Sequence, residues 1–270
     1  MSSNPTLSNC RVCGNNAPHL FDGDLLGKFR TAYFECTSCG YVQTEEPYWL
    51  EDAYKRSITA SDTGILIRNN YNVRLVLATL HLLGALNGTV VDYAGGYGIL
   101  VRMLRDLGVE AVWADRYSEN LLAAGFEYEG RPAELVTAFE AFEHFVQPRE
   151  ELSRLLDVAP NVLISTEIIP RPTPALDLWW YYGPEHGQHI GFFRVETLQK
   201  LAAQHGKRLI TDGRSYHLFT DQKLSLLHWR IARKIVSNVP SLITSQLFTK
   251  VWSDHLQVSK KKLAPTSENK

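Results

Sequence analysis

Apolar residues in the middle of this chain switch back and forth between the two periods that separate helix from strand. Val73, Leu75, Val76, Leu77, Leu80, Leu83 and Leu86 crowd the stretch 72–86, which predicts a helix buried against a sheet. A β-branched run follows at 90–92, then helical spacing at 98–107, an apolar run at 110–114 and a short helical stretch at 118–124. The alternation continues with a strand at 134–138, a helix near 148–157, a strand at 161–166 and a helix at 194–205. Strands separated by helices imply an α/β fold with a doubly wound parallel sheet. The runs 207–212 and 214–220 flank Gly213 and read as an antiparallel hairpin ending that sheet. Residues 222–258 return to helical spacing, with Leu224, Leu227, Trp229, Ile231, Val251 and Trp252, and could cover the sheet or pair with a second copy. The polar end 259–270, holding Lys260, Lys261 and Lys262, predicts a disordered tail.

The first strand carries the most specific pattern. Val90-Val91-Asp92-Tyr93-Ala94-Gly95-Gly96-Tyr97-Gly98 ends a strand on an acid, turns through glycines and opens a helix. Such a crevice, at the carboxyl end of a parallel strand, is where nucleotide-like cofactors bind. A dinucleotide fingerprint would need G-x-G-x-x-G, and a phosphate loop would need G-x-x-x-x-G-K-[ST]; neither is present. Instead a second acid, Asp115, ends the next apolar run, placed to accept the ribose hydroxyls of an adenosine.

Acid, glycine turn and second acid together resemble the class I S-adenosylmethionine (SAM) dependent methyltransferases. Their first motif is D-x-G-x-G-x-G, on which Asp92, Gly96 and Gly98 fall, with Ala94 where the first glycine usually stands. The likeness extends through Asp115-Arg116-Tyr117-Ser118-Glu119-Asn120 and Thr137-Ala138-Phe139-Glu140-Ala141-Phe142-Glu143-His144, with Pro148 following. It implies a Rossmann-like sheet of seven strands, the last antiparallel, and a SAM site of Asp92, Ala94, Gly95, Gly96, Gly98, Asp115, Phe139 and Glu140. Glu143 and His144 read equally well as a helix start carrying caps and surface charge.

Cys10, Cys13, Cys36 and Cys39 make the pattern C-x2-C-x22-C-x2-C, and a glycine, Gly14 or Gly40, follows each pair. Paired C-x-x-C turns without a signal peptide favour structural Zn²⁺ bound by four thiolates, a zinc ribbon, over disulfides. The segment between the pairs holds only Lys28 and Arg30 as bases, so a face that tracks nucleic acid is missing.

After the fifth strand, Trp179-Trp180-Tyr181-Tyr182-Gly183-Pro184-Glu185-His186-Gly187-Gln188-His189-Ile190 concentrates aromatics, histidines and an acid. This run resembles the histidine-bearing loop of the zinc-containing sugar C-methyltransferases, although their Tyr-His-Glu-His-like order is only partly kept and their large C-terminal part is missing. Methyl transfer needs aligned partners and removal of a proton, and a histidine near pKa ~6.5 suits the second task. His189 is therefore the expected base, with His186, Glu185 and Tyr182 orienting or binding the acceptor.

With 44% hydrophobic and 21% charged residues, and a net charge of −1, the composition is that of an ordinary globular chain without a general grip on nucleic acid. No apolar run is long enough to span a bilayer, and the N-terminus lacks the regions of a signal peptide, so a cytoplasmic location is expected. The expected organisation is a metal module at 1–47, a helical entry at 48–89, the methyltransferase domain at 90–221, a helical segment at 222–258 and the tail. The expected function is methyl transfer from SAM to a small polar acceptor such as a sugar or nucleotide sugar. Two other readings use the same residues. One is an RNA methyltransferase gripping its substrate through the zinc module; the other is a degenerate fold, marked by Ala94, that serves as a binding protein.

Overall fold

The computed structural model describes residues 7–55, 63–238 and 241–263. The chain begins with β1 (Leu7–Asn9), β2 (Asn16–Leu25), β3 (Phe29–Glu35), β4 (Val42–Thr44) and the short helix α1 (Leu50–Ala53). Then come α2 (Ile65–Leu83), β5 (Thr89–Tyr93), α3 (Ile99–Asp106), β6 (Glu110–Ala114), β7 (Leu135–Phe139), α4 (Pro148–Val158) and β8 (Asn161–Ser165). The remainder is β9 (Gly191–Phe192), α5 (Val195–Gln204), β10 (Arg208–Thr211), β11 (Tyr216–Thr220), α6 (Leu226–Asn238), α7 (Ser241–Thr244) and α8 (Val251–Leu263). These elements form two compact units: residues 1–62 with 136–226, and residues 63–135 with 227–270.

In the first unit, β1, β2, β3, β4 and β9 build one antiparallel sheet in that order. The pairing of Val42 with Phe192 and of Gln43 with Gly191 ties the cysteine-bearing segment to residues 150 positions away. It is thus an integral part of this unit. A second sheet in the same unit runs β10-β11-β8-β7, and β11 is antiparallel to both of its neighbours. The hairpin turn is wider than one glycine because the Asp212 carboxylate accepts the backbone N–H groups of Arg214, Ser215 and Tyr216. Those three donors are withdrawn from the ladder, so β11 starts at Tyr216. Leu152, Leu155, Val162, Leu163, Ile164, Leu198, Leu201, Leu218 and Phe219 supply its buried apolar core.

In the second unit, α2 is longer than its apolar pattern and stops at Gly84, which takes φ +67°. There the N–H of Ala85 reaches back to the Leu80 carbonyl, a Schellman-type end that only a left-handed residue permits cheaply. Strands β5 and β6 are parallel, with Asp92 level with Trp113. The helix expected at 118–124 does not form. Asp115 Oδ1 accepts from Tyr117 and Ser118 N–H, and Asn120 Oδ1 accepts from Ala123 N–H, so short polar side chains capture the donors a helix would need. Among the described residues seven strands follow α2, but β9 pairs with β4 in the antiparallel sheet, so six remain for the sheet expected to hold seven. Between β6 and β7 only an isolated bridge forms, Trp113 with Glu127, in a stretch broken by Gly125, Gly130 and Pro132.

The C-terminal helices anchor within this unit. The Trp229 indole N–H donates to Thr79 Oγ1 on α2 (3.1 Å). Arg105 on α3, 4% exposed, forks onto both oxygens of Asp254 on α8 at 2.8 Å each. α8 also continues to Leu263, so residues 259–263 belong to a helix and not to a disordered tail; residues 264–270 lie outside those described. No described helix is long and apolar enough to cross a membrane.

Candidate functional site

The glycine turn of the second unit has the backbone the sequence demands. Ala94, Gly96 and Gly98 take φ of +61°, +54° and +81°. Gly95 does not need its freedom for φ. It needs it for space: a Cβ there would stand 2.8 Å from the Trp113 ring and 2.9 Å from Asp92 Oδ2. Gly98, at the start of α3, would place a Cβ 2.8 Å from Asn120 Oδ1 and 2.9 Å from Ala123. Ala94 occupies the left-handed region without glycine's tolerance, a local cost of about 1–2 kcal/mol that the rest of the turn must offset.

What offsets it is visible in the bonds across the turn. The Gly96 N–H donates to Asp115 Oδ2 (2.9 Å), the Trp113 indole N–H to the Gly96 carbonyl (2.8 Å) and the Gly95 N–H to the Ala114 carbonyl (3.1 Å). Asp92, 4% exposed, lies under the same turn. The two acids that the sequence singled out therefore meet at one loop. Asp115 is already well used: it accepts three N–H groups, leaving about one of its roughly four lone-pair positions for a ribose hydroxyl.

Phe139 and Glu140 close β7 in the first unit. The Phe139 ring stands edge-on to Tyr216, and Glu140 takes φ +51° with its N–H donating to Ser165 Oγ (2.8 Å). A non-glycine residue at positive φ on a strand end is held strain of the kind found at working sites.

The first unit also gathers a histidine cluster. His189 lies 4.6 Å from His186, 4.9 Å from His144 and 4.6 Å from Tyr181 between ring centroids. Its Nδ1 bonds the Tyr181 carbonyl (2.5 Å), so Nδ1 carries the proton and Nε2 keeps its lone pair. His144 Nδ1 is 2.8 Å from the Tyr54 hydroxyl. The loop carrying these rings is held from α1: the Trp49 indole donates to the Gly187 carbonyl (2.7 Å) and the Gln188 side-chain amide to the Ala53 carbonyl (2.9 Å).

Beside the rings Glu143 is completely buried and neither carboxylate oxygen has a well-formed hydrogen bond; the Tyr181 and Thr166 hydroxyls, 3.4 Å from each other, lie beside it and offset only part of the effect of burial. Burial, and then the charge of Glu140, push its pKa up to about 8. Burial drives the histidines the other way: His189 falls to about 3, His144 falls well below its usual value and His186 is also lowered. His189 is accordingly not poised near pKa 6.5, as expected from sequence; it is a neutral imidazole across the physiological range.

Of the other expected partners, Tyr182 and Glu185 separate from this cluster, while His186 stays beside His189. Tyr182 is fully buried among Tyr33, Val42, Ile169 and Phe192, and its hydroxyl donates to the Pro174 carbonyl (2.9 Å), so it is a core residue. His186 packs its Nε2 edge on Gly183, where a Cβ would come within 2.0 Å. Glu185 is exposed. Conversely, Glu143, His144, Tyr54 and Tyr181 belong to the cluster and were missed or undecided in sequence. Glu143 and His144 sit in a charged-looking run, and nothing local reveals that the chain returns at 181–189 to bury them.

The four cysteines converge at the edge of the antiparallel sheet, with all four sulfurs within 4.8 Å of one another. Cys10 and Cys39 Sγ are 3.6 Å apart and Cys13 and Cys36 Sγ 3.5 Å, well beyond a disulfide bond. Tetrahedral zinc with Zn–S near 2.3 Å needs sulfurs about 3.8 Å apart, so the set fits a tetrathiolate metal site. Gly14 and Gly40 take φ of +75° and +70°, as the turns require. The second turn is fastened by Arg194, 2% exposed, which donates to the carbonyls of Gly40 (3.1 Å) and Pro170 (2.7 Å), to Glu35 (2.8 Å) and to Thr173 (2.5 Å). Thr197 Oγ1 adds a bond to the Cys39 carbonyl (2.7 Å).

Several solved structures are similar to parts of the chain. CalO1, a methyltransferase of calicheamicin biosynthesis in an SAH-bound form, is 17% identical, with 54% of each chain covered and a TM-score of 0.36. Magnesium protoporphyrin IX methyltransferase (ChlM) from Synechocystis PCC 6803 with bound SAH is 15% identical, covering 64% of this chain and 93% of that one at TM-score 0.43. An O-methyltransferase family protein from Burkholderia thailandensis is 19% identical, covering 63% and 62% at TM-score 0.40. The chain thus spans about half the length of the first of these, and likenesses this loose assign nothing. No curated protein sequence matches the chain. The family model for the methyltransferase domain, however, matches residues 67–211, more than half of the chain, and on that match the chain belongs to the methyltransferase domain family.

Proposed function

We propose that the protein is a SAM-dependent methyltransferase acting on a small polar acceptor, with the Asp92–Asp115 turn holding the cofactor and His189 as general base. The observation that carries the first half is the turn itself: two acids brought to one loop, which closes over Asp92 and Trp113 only because Gly95 has no Cβ. There Asp115 would hold ribose, and Asp92 with the backbone of residues 94–98 would border the remainder. When bound, SAM supplies the electrophilic methyl group, and the chain's own residues bind, orient and take up a proton.

His189 offers Nε2 to the acceptor's proton. Its low basicity is compatible with that role for an oxygen acceptor, because the hydroxyl becomes strongly acidic as it gains the methyl group. Trp180, 76% exposed in the same loop, offers an aromatic face to the C–H side of a sugar ring, which supports a carbohydrate acceptor. The four-cysteine cluster is assigned to structural zinc, on the fit of its sulfurs and its closure by Arg194.

Calorimetric titration with SAM tests the cofactor half: saturable binding is expected, and no heat up to millimolar SAM would overturn it. Incubation with methyl-labelled SAM and a panel of nucleotide sugars tests the acceptor half. His189→Ala is expected to abolish any label transfer found, and unchanged turnover would remove His189 from the chemistry.

A further inference from the structure

The histidine cluster contains more than proton removal requires. Glu143 is fully buried and neither of its oxygens has a well-formed hydrogen bond, the Tyr181 and Thr166 hydroxyls beside it compensating only in part, a costly arrangement for a carboxyl group. Each neighbouring histidine spends Nδ1 on the protein: His189 on the Tyr181 carbonyl, His144 on the Tyr54 hydroxyl. That leaves the Nε2 lone pair of His189, and that of His144 in the tautomer whose Nδ1–H donates to Tyr54, beside the Glu143 carboxyl. His144 Nε2 is 3.7 Å from Glu143 Oε1, and one ligand atom from each of Glu143, His144 and His189 lies within 4.8 Å of the others.

We infer that Glu143, His144 and His189 form a second metal site, distinct from the cysteine cluster, for a divalent transition ion of the Zn²⁺ or Co²⁺ class. Two imidazoles and one carboxylate are a ligand set that such ions take with a position left open, as in hydrolytic zinc sites. Zn–N and Zn–O bonds of about 2.0–2.2 Å set tetrahedral ligand atoms about 3.4 Å apart, so the Glu143–His144 pair is nearly at its bound spacing. Closing the remainder takes a side-chain movement of about an ångström.

The surroundings agree with a ligand role in a way that a chance histidine pair would not. Metal-bound imidazoles commonly give their second nitrogen to a protein group that fixes ring orientation; the Tyr181 carbonyl holds both ring and tautomer of His189, and the Tyr54 hydroxyl holds the ring of His144. A cation would displace the Glu143 proton and partner the carboxylate that results. Glu143 is fully buried while the His144 side chain keeps 18% exposure. His186, whose Nε2 faces Gly183, stands outside the ligand set.

The inference goes beyond the methyl-transfer reading and does not depend on it. Metal and acceptor proton would use the same lone pair of His189, so occupancy decides what that nitrogen does. Metal content is therefore the readout, not turnover.

The full chain is saturated with Zn²⁺, desalted and analysed for metal by mass spectrometry. Two zinc ions per chain are expected, falling to one in His144→Ala and in Glu143→Gln. In parallel, Co²⁺ is added to chain carrying a single zinc on its cysteines. Weak visible ligand-field bands without thiolate-to-cobalt charge transfer are expected. Saturation of the wild-type chain at one zinc, a second equivalent retained by both variants, or Co²⁺ spectra with charge-transfer bands alone would each overturn the site. The cobalt spectrum of the unmodified chain decides the matter even if a variant fails to fold.

Discussion

Asp115→Asn is a small change with a calculable effect, because the structure says what each carboxylate oxygen does. Oδ2 receives the Gly96 N–H, and Oδ1 receives those of Tyr117 and Ser118 at 2.7 and 2.9 Å. An asparagine has one oxygen. If it serves Tyr117 and Ser118, its NH₂ confronts the Gly96 N–H, donor against donor; if it flips, two donors lose their acceptor. The better arrangement loses one hydrogen bond to a charged group, about 1.5–3 kcal/mol, and weakens two others from charge-assisted to neutral. Because Asp115 is only partly buried, we take the total near the low end, about 2 kcal/mol, or roughly thirtyfold in the population of the closed turn. Amide hydrogen exchange at Gly96, Tyr117 and Ser118 should quicken accordingly while α2 and β5 keep their protection. The SAM dissociation constant should weaken by a similar factor. If Gly96 exchanges at the wild-type rate and SAM affinity is unchanged, the carboxylate does not organise the turn and the argument for a built cofactor site fails.

Three further outcomes follow from other parts of the molecule. Arg194→Met removes the guanidinium that fastens the second cysteine turn and strands Glu35 and two carbonyls, so urea unfolding should report a loss of about 3 kcal/mol, the low end for a broken buried pair because Glu35 is partly exposed. A chelator strong enough to strip the cysteine site should lower the melting temperature of the wild-type chain, and Cys39→Ser should start from the lower value and respond little; equal melting curves with and without chelator would remove metal from the stability of this unit. For pH, burial would raise the Asp254 carboxyl, but hydrogen bonds from Arg105 and Arg102 outweigh it and hold its pKa below the usual range. A depressed folded-state pKa contributes stability above the unfolded value of about 3.9 and loses it as pH falls through the folded one, so wild type should lose melting temperature below about pH 4 more steeply than Asp254→Asn, and parallel curves would contradict the ion pair's role.

The parts readable from sequence are those fixed by neighbours along the chain. The glycine turn was legible because steric limits on φ act within one residue and because strand, turn and helix leave period changes within a dozen positions. The cysteine pairs were legible for the same reason, each C-x-x-C being a local turn with its own glycine. Where local reading failed, another local force had been underrated. At 118–124 the apolar spacing suggested a helix, yet Asp115 and Asn120 bound the backbone donors first.

Other features were not available to any local argument. Tyr182 and Tyr181 are adjacent, chemically alike and buried in one cluster with Phe192, but only Tyr181 gives its carbonyl to His189. Glu143 looked like surface charge. Only the return of the chain at 181–189, pinned by Trp49 and Gln188, buries it beside two histidines and leaves it without a well-formed hydrogen bond.

Sequence by itself determined the alternating α/β order, the acid–glycine–acid turn and the two cysteine knuckles, since each depends on backbone sterics and spacing over a few residues. Tertiary structure alone decided which acids and histidines share a site, how far burial shifts their protonation and that Arg194 binds the second knuckle to the rest of its unit. Those properties depend on distances between residues far apart in the chain, and on the loss of water around them, which no run of neighbouring residues encodes.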